Sequence, residues 1–293
     1  MERRTLFPGV AFPMLLVLPQ FALTLVFFYL PAVQAVWSSF TRADPFGLRS
    51  QFVGLENFFD LFTDPLYIDS IGRTAVFCVS VAALSMSLAL ILALVADREI
   101  RGRGVYRILL IWPYAVAPAV AAVLWVLLLH PQIGLLGRRL NLMGLHWDYK
   151  LDGLQAMIAV IVASSWKQVS YNFIFLLAGL QSIPKSVVEA ARMDGAKGWF
   201  RFRTVILPLL MPTVFFLLVV NLVYAAFETF STILTMTQGG PGKATETLVL
   251  KVYRDGYINQ DIGSSSAQSV VLMLGVIVLT ALQFRFLGRR AAD

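Results

Sequence analysis

Eight polar or charged residues interrupt runs that are otherwise apolar: Ser164, Lys167, Gln168, Tyr171, Asn172, Asn221, Tyr224 and Glu228. Their spacing is helical. Ser164, Lys167 and Tyr171 share one helix face, Gln168 and Asn172 share a neighbouring one, and Asn221, Tyr224 and Glu228 share a face of a second helix. Such groups are expensive in lipid, so in a membrane segment they mark a solute pathway by default. Two polar stripes facing each other would line a water-filled cavity, and a lysine halfway through a span would be a fixed counter-charge for a phosphate-bearing solute. The other reading is packing, in which amides and hydroxyls bond one helix to the next. Glu228 would repel a phosphate unless paired, and its place near the end of its run argues against a pair with mid-run Lys167.

Enzyme chemistry finds no such support. GGPGKAT at 239–245 resembles a phosphate loop, but Thr237 stands where the first glycine belongs and Ala244 follows Lys243, so both ends of G-x-x-x-x-G-K-[ST] fail. Neither a G-x-S-x-G elbow nor an H-E-x-x-H pair occurs. His130 and His146 stand apart, so a three-ligand zinc site has no basis. The single cysteine, Cys78, lies in an apolar run and excludes an intrachain disulfide.

The elements that would position the polar stripes are membrane spans. Of 293 residues, 58% are hydrophobic and 14% charged, against about a quarter charged in an ordinary soluble domain. Six runs reach or approach the roughly 20 residues that cross a bilayer. They are about 10–37, 74–96, 106–129, 154–181, 209–230 and 266–286. Pro13, Pro19 and Pro31 mark ends or kinks in the first, and Pro113 and Pro118 interrupt the third. The first run is too long for a signal peptide and is read as an uncleaved span. The expectation is an all-α membrane protein with a tail at 1–9, a six-span domain at 10–286 and a second tail at 287–293.

Charge sets the orientation. With the N-terminus inside, the inner segments hold 14 basic and 6 acidic residues and the outer segments 9 basic and 10 acidic. Both termini then lie in the cytoplasm. The net charge of +7 is a topology signal and calls for no nucleic acid. The outer segments, about 38–73, 130–153 and 231–265, are too short for separate domains, and GLENFFDLF at 54–62 has the aromatics of a short interfacial helix.

The longest inner segment is 182–208, SIPKSVVEAARMDGAKGWFRFRTVILP. Ser186 and Glu189 have the form of a capping box, Pro184 blocks helix from upstream, and Gly195 suits a C-terminal turn. The expectation is a short helix over about 187–194, with Val187, Val188 and Ala191 on one side and the small Ala190 beside them, then a second short helix over 197–206.

EAARMDG at 189–195, nine residues, then Val205-Ile206-Leu207-Pro208 resembles the E-A-A-x-x-x-G, nine residues, I-x-L-P signature of binding-protein-dependent ABC importer permeases. The departure is Val205 for isoleucine. The resemblance implies the type I importer fold (MetI-like). It also implies that this loop is the coupling helix, docking on a separate ATPase, with Glu189, Ala190, Ala191, Asp194 and Gly195 as its coupling residues. The partners it implies are a second, different permease, two cytoplasmic ATP-binding subunits and a periplasmic solute-binding protein. ATP and Mg would sit on the ATPase subunits, and this chain would bind no cofactor and catalyse nothing.

GGP at 239–241 with TETL at 245–248 is similar to the sugar-importer branch. DPFGLRSQFVGLENF at 44–58, PYAVAPAVAAVLW at 113–125, WKQVSYNF at 166–173, LLVVNLVYAAFETF at 217–230 and SSAQSVVLM at 265–273 are similar to permeases of sn-glycerol-3-phosphate importers. The implied function is inward passage of sn-glycerol-3-phosphate or glycerophosphodiesters across a bacterial inner membrane by alternating access. The alternative is the same machinery carrying a neutral mono- or oligosaccharide. Trp166-Lys167 resembles a pair found across the wider sugar-permease family, so the pair alone does not specify an anion.

Overall fold

Apolar side chains cover most helices on every face, as they must where backbone groups pair internally and the surroundings are lipid. The computed structural model describes residues 11–43, 50–97 and 103–290. The first tail falls outside these residues, as do 291–293 of the second, Arg98 and Arg101 of the inner segment and 44–49 of the stretch 44–58.

The helices are α1 (Phe12–Ser38), α2 (Glu56–Thr63), α3 (Pro65–Ala96), α4 (Arg103–Ala115), α5 (Pro118–Leu129), α6 (Leu135–Leu142), α7 (Gly153–Ser182), α8 (Lys185–Met193), α9 (Gly198–Glu228), α10 (Phe230–Met236), α11 (Leu248–Tyr253) and α12 (Ile262–Arg290). Four stretches are long and apolar enough to cross a bilayer alone: α1, α3, α9 and Ile262–Arg285 of α12. Two bent pairs raise the number to six if each is one span: Gly104–Ala115 with α5, bent by 103°, and α7 with α8, bent by 68°.

Three boundaries differ from the sequence reading. Helix α3 starts at Pro65, not near 74, and carries the exposed Asp69–Arg73 pair at 3.2 Å in its first turns. The third run is interrupted at Pro118, as read, but not at Pro113, which lies inside α4: the break falls between Ala115 and Pro118, where Pro118 opens α5. Residues 197–206 are not a separate helix, because 198–206 are the first turns of α9. Pro208 has no N–H to give the carbonyl of Thr204. The backbone widens just before it, and the Leu207 N–H bonds the Phe202 carbonyl in a π turn.

The chain divides into two compact units. One takes the residues before Pro65 together with 252–274. It contains α1, whose spanning window has no buried residue. It also holds a small antiparallel hairpin of β1 (Thr41–Ala43) and β2 (Ser50–Phe52), with Arg42 opposite Gln51. This hairpin qualifies the all-helical expectation. Buried Asn57 of α2 ties it down, donating to the carbonyls of Ser39 at 2.9 Å and Thr41 at 3.0 Å.

The other unit takes 65–251 together with the residues from 275 on. Its spine is α3 packed along α7, with α9 against both. The buried positions of α3 run Tyr67, Ser70, Thr74, Phe77, Val81, Ser85, Ala89 and Ala93, three or four residues apart. This face is no more apolar than the opposite one. It is smaller and more polar, which lets backbones approach in the absence of a hydrophobic drive between helices. Gly179 serves the same end: a Cβ there would lie 2.8 Å from Leu210 Cδ1 and 3.0 Å from Thr213 Oγ1 of α9.

Candidate functional site

Helix α8 stands out from the membrane helices as the amphipathic element of the inner segment. Its N-cap is Pro184, and no side chain caps it. The expected Ser186–Glu189 capping box is therefore absent: the helix starts one residue before Ser186, and both side chains are exposed. The C-terminal expectation is met in full. The Ala196 N–H bonds the Ala191 carbonyl at 2.9 Å, and the Gly195 N–H bonds that of Arg192 at 3.1 Å. This is the Schellman arrangement. It requires the left-handed backbone that Gly195 adopts at φ +82°.

The faces of α8 also differ from the expected grouping. Val188 and Ala191 turn partly inward, and α8 packs on residues 202–206. Val187, Ala190, Met193 and Asp194 form the open side, with Met193 89% exposed. Glu189 is exposed as well, and Trp199 and Phe200 follow at 72% and 65% exposure. The result is a short helix with a small residue, Ala190, on its open side and a rigid turn at its C-terminal end.

The predicted pathway residues separate into two groups. Asn172 of α7 and Asn221 of α9 are fully buried together with Ser85 of α3. The Asn221 amide donates to Asn172 Oδ1 at 2.7 Å, the Asn172 amide returns a bond to Asn221 Oδ1 at 3.0 Å, and Ser85 Oγ donates to the same oxygen at 2.9 Å. These side chains bond one another across three helices, which is the arrangement the packing reading describes. Ser85 was missed because a serine in an apolar run, with Ser80 and Ser87 close by, carries no signal by itself; its place on the small-residue stripe of α3 was the available clue.

Leaving one buried amide without its partner costs about 1–3 kcal/mol, while such bonds in membranes average about 0.6 kcal/mol. Asn172→Leu is thus expected to destabilise the chain by about 1–2 kcal/mol in thermal melts in detergent. Adding Asn221→Leu should cost less than the sum of the two single changes, because neither amide is then orphaned.

In the second group Lys167, Tyr171 and Glu228 keep some exposure and Tyr224 does not. Lys167 lies at the midpoint of the 30-residue α7 and is half-buried. Its Nζ sits over the Tyr114 ring, 6.0 Å from the centroid, within reach of a cation–π attraction. Tyr171 is one turn further along α7, 5.5 Å from Tyr114 between ring centroids. Tyr224 is buried and donates to the Ser164 carbonyl at 3.3 Å. Glu228 is exposed. Among the described residues no ion pair joins Glu228 to Lys167. Tyr114 was not singled out from the sequence; the clue was a polar aromatic next to Pro113 where the third run breaks.

The GGPGKATET turn is built to bond itself. The Thr245 N–H bonds the Gly239 carbonyl at 3.1 Å, and Thr245 Oγ1 meets Thr237 Oγ1 at 2.7 Å and donates to the Gly240 carbonyl at 3.0 Å. Thr245, Glu246 and Thr247 are all buried. It is a structural turn, in line with its failed phosphate-loop spacing.

The sequence profile of the family described as "Binding-protein-dependent transport system inner membrane component" matches residues 85–292, which include the helices of both residue groups and all of α8. The chain belongs to that family. It is a multi-pass permease subunit of an ABC transport system, not an enzyme. It is 56% identical over 288 residues to the sn-glycerol-3-phosphate transport system permease protein UgpA of Rhizobium meliloti (strain 1021), covering 98% of each chain. It is 57% identical over 288 residues to the protein of the same name from Brucella abortus biovar 1 (strain 9-941), again covering 98% of each. A solved bacterial ABC transporter involved in import of the acidic polysaccharide alginate has a chain of the same fold, with a TM-score of 0.81, 22% identity and 96% of each chain covered. A chain of an amino acid ABC transporter matches at a TM-score of 0.54 and 16% identity, covering 80% of this chain and 98% of that one.

Proposed function

We propose that this permease passes sn-glycerol-3-phosphate, or glycerophosphodiesters that contain it, from a periplasmic binding protein to the cytoplasm. The observation that carries this reading is the likeness to UgpA proteins over nearly the whole chain. Lys167 supports it, being a cation on an open face midway through α7. A neutral sugar is the second reading, favoured by the rings of Tyr114 and Tyr171, on which a sugar face could stack.

In the working complex the chain crosses a bacterial inner membrane six times, counting each bent pair as one span, with both termini in the cytoplasm. It pairs with a second, homologous permease. Two cytoplasmic subunits bind ATP and Mg, and this chain binds neither. Helix α8, with Glu189, Ala190, Ala191, Asp194 and Gly195 as coupling residues, docks by its open side on one of those subunits and carries its closure into α7 and α9. Lys167, Tyr171, Tyr224 and Glu228 belong to the pathway, and Asn172 and Asn221 hold its walls in register.

The test is the ATPase rate of the purified complex with its binding protein. Adding sn-glycerol-3-phosphate is expected to raise the rate several-fold, and maltose is not. Stimulation by maltose alone would transfer the assignment to the neutral-sugar reading.

A further inference from the structure

Beyond Lys167, four rings make a continuous track on the same open face. Tyr171 follows Tyr114 at 5.5 Å, Phe175 follows Tyr171 at 4.8 Å, and Phe216 of α9 follows Phe175 at 5.5 Å between centroids. Tyr114, Phe175 and Phe216 are 47%, 37% and 45% exposed, so the track is not closed by this chain. Lys167 occupies one end, and the rings descend from it along α7 towards α8. Tyr114 sits where it does because the helix breaks just after it, which turns its ring out from α4 beneath the lysine.

We propose that Tyr114 is a positioning residue for the cargo: its ring holds the Lys167 ammonium at the head of the track, where the ammonium meets the phosphate before the three-carbon chain passes along Tyr171, Phe175 and Phe216 in turn. The proposal rests on the reading that the cargo bears a phosphate. Three features favour that occupant. The ammonium has no carboxylate within 4.0 Å among the described residues. A ring face steadies an ammonium without neutralising it. Rings offer apolar contact to a short carbon chain without binding it so tightly that passage stops.

The experiment uses the complete transporter in proteoliposomes, with labelled sn-glycerol-3-phosphate on its binding protein outside and ATP inside. Tyr114→Phe should keep uptake within about twofold. Successive fluorination of that phenylalanine withdraws charge from the ring face and leaves its shape almost unchanged. Uptake should fall stepwise across the series, by about tenfold at the trifluoro ring, with the amount of assembled complex constant. A purely structural ring would give a flat series, and that result overturns the proposal. A loss of co-purifying second permease also overturns it, marking the rings as a subunit contact. Lys167→Met separates the two levels. If it abolishes uptake while the fluorinated series is flat, the phosphate reading stands and the role of Tyr114 falls. If it leaves uptake unchanged, the phosphate reading falls as well.

Discussion

Ala190→Trp is expected to reduce uptake by tenfold or more while leaving the permease folded and inserted. Ala190 lies on the open side of α8 between Val187 and Asp194, and it is exposed. No neighbour within the chain resists a larger side chain there, so thermal melting should hardly move. A partner docking closely on that side would meet the indole directly. Overpacking a fitted contact costs about 1–3 kcal/mol, and each 1.4 kcal/mol is a tenfold loss of affinity. Co-purification of the ATP-binding subunits should fall in parallel with uptake. Full uptake by Ala190→Trp would mean that the open side of α8 does not face the ATPase.

Lys167→Met is expected to reduce uptake of sn-glycerol-3-phosphate at least tenfold, again with the complex assembled. Methionine preserves much of the length and apolar stem of the side chain and removes the charge, so the packing of α7 is little disturbed. Deleting a charge-assisted bond to a phosphate is worth about 1.5–3 kcal/mol, or roughly ten- to hundredfold by the same conversion. Basal ATPase activity should persist, because α8 and its turn are untouched. The two variants thus fail differently. Ala190→Trp loses drive, and Lys167→Met loses cargo.

How much of this could be read from the sequence depends on which residues carried the signal. The positions of α7, α8 and α12 followed closely from apolar run length and from Gly195. The starts of α3 and α9 did not, because Asp69, Arg73, Arg201 and Arg203 look like loop composition, and a helix that extends beyond the bilayer carries such residues at no cost. The break after Ala115 was flagged by Pro118, but a proline fixes only the place of a bend and not its 103°. The capping box failed because Pro184, with its backbone angle already set, could precede the first helical turn without help from Ser186.

The polar stripes were legible as stripes, but their partners were not. Periodicity puts Asn172 and Asn221 on helix faces and cannot say that the two faces touch. Their pairing is a tertiary fact, two amides bonded to each other across two helices. Tyr114 was hidden for the opposite reason. Its importance comes from a neighbour on another helix, 53 positions on in Lys167, and not from any pattern in its own run.

The central claim is that this chain is the passage through which ATP hydrolysed on partner subunits drives a phosphate-bearing solute inward. Its most direct measurement is accumulation of labelled sn-glycerol-3-phosphate by proteoliposomes of the complete complex, with and without enclosed ATP. The account predicts internal label rising well above the external concentration only when ATP is present, and only with the loaded binding protein outside. Equilibration that ignores ATP, or ATP-driven accumulation of a neutral sugar with none of the phosphate ester, would contradict it.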